Sequence, residues 1–306
     1  MNPKASHSLG TMALIATAAL WGSNHVVARA VREAVPLPAL VFWRWFPAAV
    51  ILTLVALPSL RRTWPAIRPR LTELIVGGAV GVGLFSYGLL GGAYQSLAIE
   101  VGFMNATTPV WVLLIGRRMG EPPFGAGTKW GLALAFAGTL LIISKGQPQV
   151  LTGLHLNLGN LWSLLASIAF AWFSIRARDW SRHIEPLPLT VVTAWSGVLV
   201  VMLPAYLVWI ACGEPWLVWN DADFGFALAA TAYVGLVPTM LGNLFYLYGV
   251  SRLGPARAAA FIYLTPLFSA ALSIGWLGEQ LAWYHFAGFA AIFAGLFVLG
   301  KFGPKR

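Results

Sequence analysis

Apolar residues in this chain do not alternate, nor do they keep to one helical face; they run on without interruption. Continuous apolar stretches of about 20 residues recur from end to end, the length a helix needs to cross a bilayer core. They fall at roughly 9–30, 37–58, 72–95, 101–119, 126–144, 157–177, 187–211, 224–249, 255–277 and 282–301. Clusters of polar, Pro and Gly residues separate them: Arg61-Arg62 with Pro65 and Pro69, Glu121-Pro122-Pro123, Gly146-Gln147-Pro148, Glu185-Pro186, and Asp221 to Asp223. The pattern predicts an all-α polytopic membrane protein of ten transmembrane helices. An outer-membrane barrel is excluded, because its short strands would alternate apolar and polar residues.

Composition agrees. Hydrophobic residues make up 58% of the chain and charged residues only 10%, against about 25% charged in a soluble domain. The single Cys212 excludes an internal disulfide and a thiolate metal site. The net charge of +10 would suggest nucleic acid in a soluble protein, but here its distribution reads as topology. With a cytoplasmic N-terminus, sixteen Lys and Arg fall on the inside and three, Arg29, Arg32 and Lys145, on the outside. Cytoplasmic loops carry such an excess, so both termini are expected in the cytoplasm. Lys4, the apolar run from Met12 and Ala16-Thr17-Ala18 also fit a cleaved signal peptide, which would leave nine spans; the charge bias favours ten.

The chain repeats itself. Gly131–Gly138 (GLALAFAG) is matched 157 residues later by Gly288–Gly295 (GFAAIFAG), with five identities in eight positions. Thr108-Pro109 and Thr265-Pro266 share that offset, and Gly120-Glu121 and Gly278-Glu279 follow one residue out of step. Residues 1–146 and 157–306 are therefore expected to be two five-helix repeats joined by a linker at 147–156. An odd number of crossings per copy inverts the second copy in the membrane. Inverted repeats place a substrate site near the midplane and permit alternating access.

Further pieces match a known family. They are Leu20-Trp21-Gly22-Ser23-Asn24, Arg44, Asn105-Ala106-Thr107-Thr108-Pro109, Gly120-Glu121, Ala171-Trp172, Arg252-Leu253-Gly254-Pro255-Ala256, Tyr263-Leu264-Thr265-Pro266 and Gly278-Glu279. In their order and spacing the chain resembles the drug/metabolite transporter superfamily, in particular its ten-helix EamA branch. The resemblance covers essentially residues 9–301. It implies export or exchange of small metabolites across a bacterial inner membrane, along a pathway lined by the first, third, fourth, sixth, eighth and ninth helices.

The candidate pathway residues are Trp21, Asn24, His25, Arg44, Tyr94, Trp111, Trp172, Asn243 and Tyr263. Arg44 is the one basic residue deep in a span, where an unpaired Arg costs about 2.5–3.5 kcal/mol on insertion scales. It either snorkels to the outer interface as an anchor or meets a substrate, for which a guanidinium can clamp a carboxylate. His25 is a candidate proton carrier or a packing residue, and Glu100 an interfacial charge or a coupling site. Trp21 and Trp172 suit a cavity wall, whereas Trp43, Trp45, Trp64, Trp216 and Trp219 suit the aromatic belt at the interface. Pro109 and Pro266 are candidate helix kinks. The Gly-rich third span, from Gly77 to Gly92, offers a surface for close packing or sliding.

Enzyme machinery is not evident. No His-Glu-x-x-His, Gly-x-Ser-x-Gly or nucleotide-binding Gly-x-x-x-x-Gly-Lys loop occurs, and no Asp lies in an apolar span. No catalytic residue, cofactor, metal, nucleic acid or ATPase subunit is expected. The expected partners are a small-molecule substrate and the lipid bilayer, with protons as a candidate coupling ion. A channel or facilitator, a membrane-embedded enzyme and a sensor are the competing readings.

Overall fold

The structure, a computed structural model, describes residues 3–31, 35–95, 101, 104–120, 125–147, 149–150, 157–213, 224–277 and 282–302. These residues are helical with short connections, and no strand occurs among them. The helices are α1 (Pro3–Val31), α2 (Leu37–Ile67), α3 (71–95), α4 (Thr108–Arg118), α5 (Ala126–Ile143), α6 (Leu158–Trp180), α7 (Pro186–Ala211), α8 (Phe224–Leu253), α9 (255–277) and α10 (Trp283–Phe302). Six helical stretches are long and apolar enough to cross a membrane, with 37–92 counted as one of them. The chain is thus a multi-pass helical membrane protein.

Local chemistry sets the ends. Pro186 opens α7 and Pro255 opens α9, positions where the missing N–H would be unpaired in any case. The Asn157 side chain accepts the Asn160 N–H and caps α6. Gly254, at φ 82°, ends α8 and turns the chain directly into α9, which accounts for the Leu-Gly-Pro sequence at that corner. One expectation needs extending: α2 does not stop near 58 but runs to Ile67. A 3-10 turn at Arg68–Arg70 then leads into α3, with Arg70 at φ −109°, ψ 8°.

The exterior is apolar and the interior partly polar. Leu54, Val55, Trp130, Phe293 and Phe297 are exposed, whereas Thr17, Ser86, Thr108, Ser167, Ser174 and Thr193 are buried. In lipid the apolar exterior costs nothing, and small or hydroxyl residues serve helix contacts. Trp45 departs from its expected place in the interfacial belt. It is 2% exposed, and its Nε1 donates to Ser86 Oγ at 2.9 Å. Trp43 is half-buried and donates to the Tyr206 hydroxyl at 3.1 Å, while Trp64 is exposed as expected; Trp216 and Trp219 lie outside the described residues.

The duplicated glycines make a close helix crossing. A Cβ on Gly131 would lie 2.7 Å from the Gly295 carbonyl oxygen, and one on Gly295 would lie 2.5 Å from the Gly131 oxygen. Gly138 and Gly288 face each other in the same way, at 2.6 and 2.8 Å. The order of these pairs makes α5 and α10 antiparallel, each presenting its copy of the motif to the other.

Other pairings come in matched sets. Helix α1 packs on α8 and α9, as α6 packs on α3 and α4, while α2 meets α7. The glycines of α3 lie in close contact with their neighbours: Gly77 against Trp180, Gly81 against Phe173, and Gly88 against Ala166. Widened π turns interrupt α3 at Ala79–Leu84 and α8 at Gly235–Leu241, with a third in α7 at Val198–Met202.

The described ion pairs gather at one end of the bundle. Arg176 pairs with Glu73, Arg62 with Glu185 and Arg182 with Asp179. Each bridges or flanks segments that the charge count places in the cytoplasm. All three are largely solvated and are worth little individually.

The glycine crossing predicts a stability difference. Gly295→Val should lower the melting temperature of the detergent-purified protein, by overpacking worth about 1–3 kcal/mol. Gly125→Ala, where nothing lies within 4 Å of a new Cβ, should leave it unchanged. Equal behaviour of the two variants in differential scanning fluorimetry would contradict the crossing.

Candidate functional site

The π turn of α8 is where a helix in lipid most needs help. Widening the turn, with Pro238 inside it, leaves carbonyls without their ordinary i+4 donors, and no water is at hand to replace them. Side chains bond to three carbonyls in or just after the turn, one of which, Thr239 O, also accepts the Gly242 N–H. Trp21 Nε1 donates to Pro238 O at 3.2 Å and Asn243 Nδ2 to Thr239 O at 2.7 Å, while Thr17 Oγ1 lies between Ala13 O at 2.9 Å and Gly242 O at 3.2 Å. One turn outward the Tyr233 hydroxyl donates to Ser23 Oγ at 2.8 Å. Helix α1 is thus laced to α8 by Thr17, Trp21 and Ser23.

Arg44 of α2 sits on another flank of the same turn. A Cβ on Gly235 would lie 2.7 Å from Arg44 O, so the missing side chain lets α2 and α8 touch. The Arg44 side chain is 5% exposed, and neither Nε nor Nη1 has a hydrogen-bond partner. Snorkelling to the interface is therefore not what this residue does. Asn24 is also buried, with its Oδ1 unpartnered. The backbone of His25 belongs to α1, but its side chain lies outside the described residues, as do Glu100, Glu121 and Glu279.

Inward of the π turn an aromatic cluster fills the bundle. Trp21 lies 5.7 Å from Phe170 and 5.3 Å from Tyr246, and Phe170 stacks on Phe85 at 4.6 Å. The Tyr246 hydroxyl and Ser174 Oγ are 2.8 Å apart. Trp21 and Tyr246 share a tight crevice with Leu14, Thr17, Ala18 and Phe261.

Trp172 is elsewhere. It lines an open groove of about 330 Å³ with Thr72, Glu73, Val76, Met119 and Arg176. There the Arg176 guanidinium pairs with Glu73, whose Oε2 also accepts Trp180 Nε1 at 3.2 Å. Trp21 and Trp172, read together from sequence, thus belong to two separate places, a packed centre and an open groove.

The remaining candidates tie segments together or sit buried. The Tyr94 hydroxyl donates to Val35 O at 2.8 Å, joining α3 to the entry of α2. Trp111 Nε1 donates to Thr107 Oγ1 at 3.0 Å. Tyr263 is 1% exposed with an unpartnered hydroxyl, as is buried Thr265 Oγ1. Pro109 lies in the first turn of α4, just after a break at Thr107. Pro266 follows the 3-10 turn Phe261–Leu264 within α9. Among the described residues no group of His, Cys, Asp or Glu is placed to hold a metal.

Sequence reasoning did not single out Pro238, Tyr233, Tyr246 or Glu73. Pro238 carried the clearest signal, being a proline in mid-span. Glu73, near the start of a Gly-rich span, is two residues from Leu71, and nothing in the sequence paired it with Arg176.

A bundle of apolar helices with polar side chains turned inward upon a broken helix is the architecture of helical membrane transporters. The EamA-like transporter family model matches residues 8–144 and again 157–301. The chain belongs to the EamA-like transporter family, and so is a transporter of the drug/metabolite type. It is 27% identical over 288 residues to the uncharacterized transporter YetK of Bacillus subtilis, covering 94% of this chain and 85% of that one. It is 26% identical over 302 residues to a probable terminal-alkyne amino-acid exporter of Streptantibioticus cattleyicolor, covering 96% and 94%. A solved crystal structure superposes with TM-score 0.71 at 18% identity over 96% of both chains, a likeness of fold.

The π turn makes a local prediction. Asn243→Leu should remove the side-chain donor to Thr239 O, leaving it the Gly242 N–H, and lower stability by about 0.6 kcal/mol, the average for hydrogen bonds within membrane proteins. Trp21→Phe should likewise remove the side-chain donor to Pro238 O. A denaturation midpoint unmoved in both variants would mean that these carbonyls need no side-chain donor.

Proposed function

We propose that the protein is a secondary carrier that exports small amino-acid-like or amphipathic metabolites across the cytoplasmic membrane by alternating access. Residues 1–146 and 157–306 are two five-helix repeats, inverted with respect to each other, ten crossings in all, with both termini in the cytoplasm. The observation that carries this reading is the exchange pattern of the helices. Pairings α1·α8 and α1·α9 recur as α6·α3 and α6·α4, α5 meets its own counterpart α10, and the π turns of α3 and α8 correspond. Such a frame has two related arrangements available by rocking one half on the other.

The twofold match of the family model supports the same division. The printed name of the Streptantibioticus relative, an amino-acid exporter, supports the substrate class. The aromatic wall of Trp21, Phe170 and Tyr246 suits an amphipathic molecule. Proton coupling would employ His25 or Glu100; a facilitator needs neither. A channel differs in kinetics, because its flux neither saturates nor is stimulated from the opposite side.

Two measurements test the proposal. Proteoliposomes loaded with unlabelled amino acids should accelerate uptake of the same labelled amino acid, with saturation; linear flux without trans-stimulation would point to a channel instead. For orientation, Cys212 is exposed beyond the end of α7, on the side opposite the termini. A membrane-impermeant maleimide should label it in spheroplasts and not in inverted vesicles. The reverse pattern would overturn the inside placement of the termini.

A further inference from the structure

We propose that Arg44 is a carboxylate-binding site that takes the anionic end of the transported molecule; the inference rests on the carrier reading above. The residue lies seven positions into α2 from Leu37, roughly 10 Å along the helix at its rise of about 1.5 Å per residue. It is 5% exposed, and its Nε and Nη1 are without partners. Its neighbours in sequence are occupied, Trp43 with Tyr206 and Trp45 with Ser86. The described carboxylates are at the other end of the bundle, Glu73 with Arg176, Glu185 with Arg62 and Asp179 beside Arg182.

A buried guanidinium with no counter-charge among the described residues is a poor packing element. An apolar side chain of similar length fills the same space with no desolvation cost. What a guanidinium offers in addition is a rigid fork of donors that fits a carboxylate with two parallel charge-assisted hydrogen bonds. Its position gives that fork a means of exposure. The Arg44 backbone lies against Gly235, the first residue of the α8 π turn, so a shift of α8 there moves the packing from which its side chain departs. The same turn is held from α1 by Trp21, and the helix just before it by Ser23 through Tyr233. A movement of α8 at this turn uncovers the guanidinium and presents the aromatic side of α1 to the apolar remainder of the ligand.

The test uses the full chain and three probes of one shape: phenylalanine, 3-phenylpropionate and phenethylamine, which lacks the carboxylate. Thermal shift of the purified protein and counterflow in proteoliposomes are read for wild type, Arg44→Met and Arg44→Lys. Both acids should stabilise wild type and the amine should not. Arg44→Met should keep or raise the ligand-free melting temperature, and weaken apparent affinity for the acids about 10–100-fold, the scale of a lost charge-assisted pair. Arg44→Lys, which keeps the charge and loses the fork, should fall between.

Equal response to acids and amine, no response to either acid, or a ligand-free collapse of Arg44→Met would each overturn the site. Glu33 and Glu100 lie outside the described residues, so Glu33→Gln and Glu100→Gln join the thermal-shift measurement alone and should keep wild-type affinity for the acids; loss of acid binding on neutralising either would assign Arg44 an internal partner and overturn the proposal. If the acids bind through Arg44 but no probe is exchanged, the site stands and the carrier reading falls.

Discussion

Nothing in the hydrocarbon core of a bilayer can solvate a stray carbonyl, and this one constraint explains more of the molecule than any other. A helix that stays regular meets it unaided. Helix α8 does not stay regular, because Gly235–Leu241 is wound as a π turn with Pro238 inside it. Thr17, Trp21 and Asn243 then supply donors to Gly242, Pro238 and Thr239. The Thr17 and Trp21 side chains fix how α1 sits on α8, which in turn seats Trp21 among Phe170 and Tyr246. An irregular turn held by side chains from a neighbouring helix is also one that can be released, and Arg44 is buried beside it.

The duplicated motif supplies the complementary, rigid part. Gly131, Gly138, Gly288 and Gly295 bring the backbones of α5 and α10 into contact, where dispersion between close-packed atoms replaces the hydrophobic force that lipid does not provide. This crossing lies apart from the aromatic centre. The fold therefore divides its labour: a tight seam at α5 and α10, and polar, breakable lacing between α1 and α8.

Much of the fold was legible in sequence because lipid simplifies the problem. Unbroken apolar runs can satisfy their backbones only as helices, so the runs marked the helices, although α2 continues nine residues past its apolar stretch. Family and class followed from short motifs in fixed order. What escaped is what depends on three dimensions. Trp45 reads like its neighbour Trp43, yet only the approach of α3 gives it Ser86 as a partner. Trp21 and Trp172 look equivalent along the chain, but one meets the α8 break and the other faces the groove around Glu73 and Arg176. The backbone contact of Arg44 with Gly235 joins residues nearly two hundred positions apart.

If the protein is the proposed carrier, transport requires the α1–α8 lacing and its α3–α6 counterpart to open in turn. Cysteine pairs at Ser23 with Tyr233, and at Glu73 with Arg176, placed in a Cys212→Ser background and bridged by a short cleavable bifunctional thiol reagent, test this in proteoliposomes. Each bridge alone should arrest exchange, and cleaving it should restore the rate. Exchange that continues at the unbridged rate with both bridges in place would contradict the cycle.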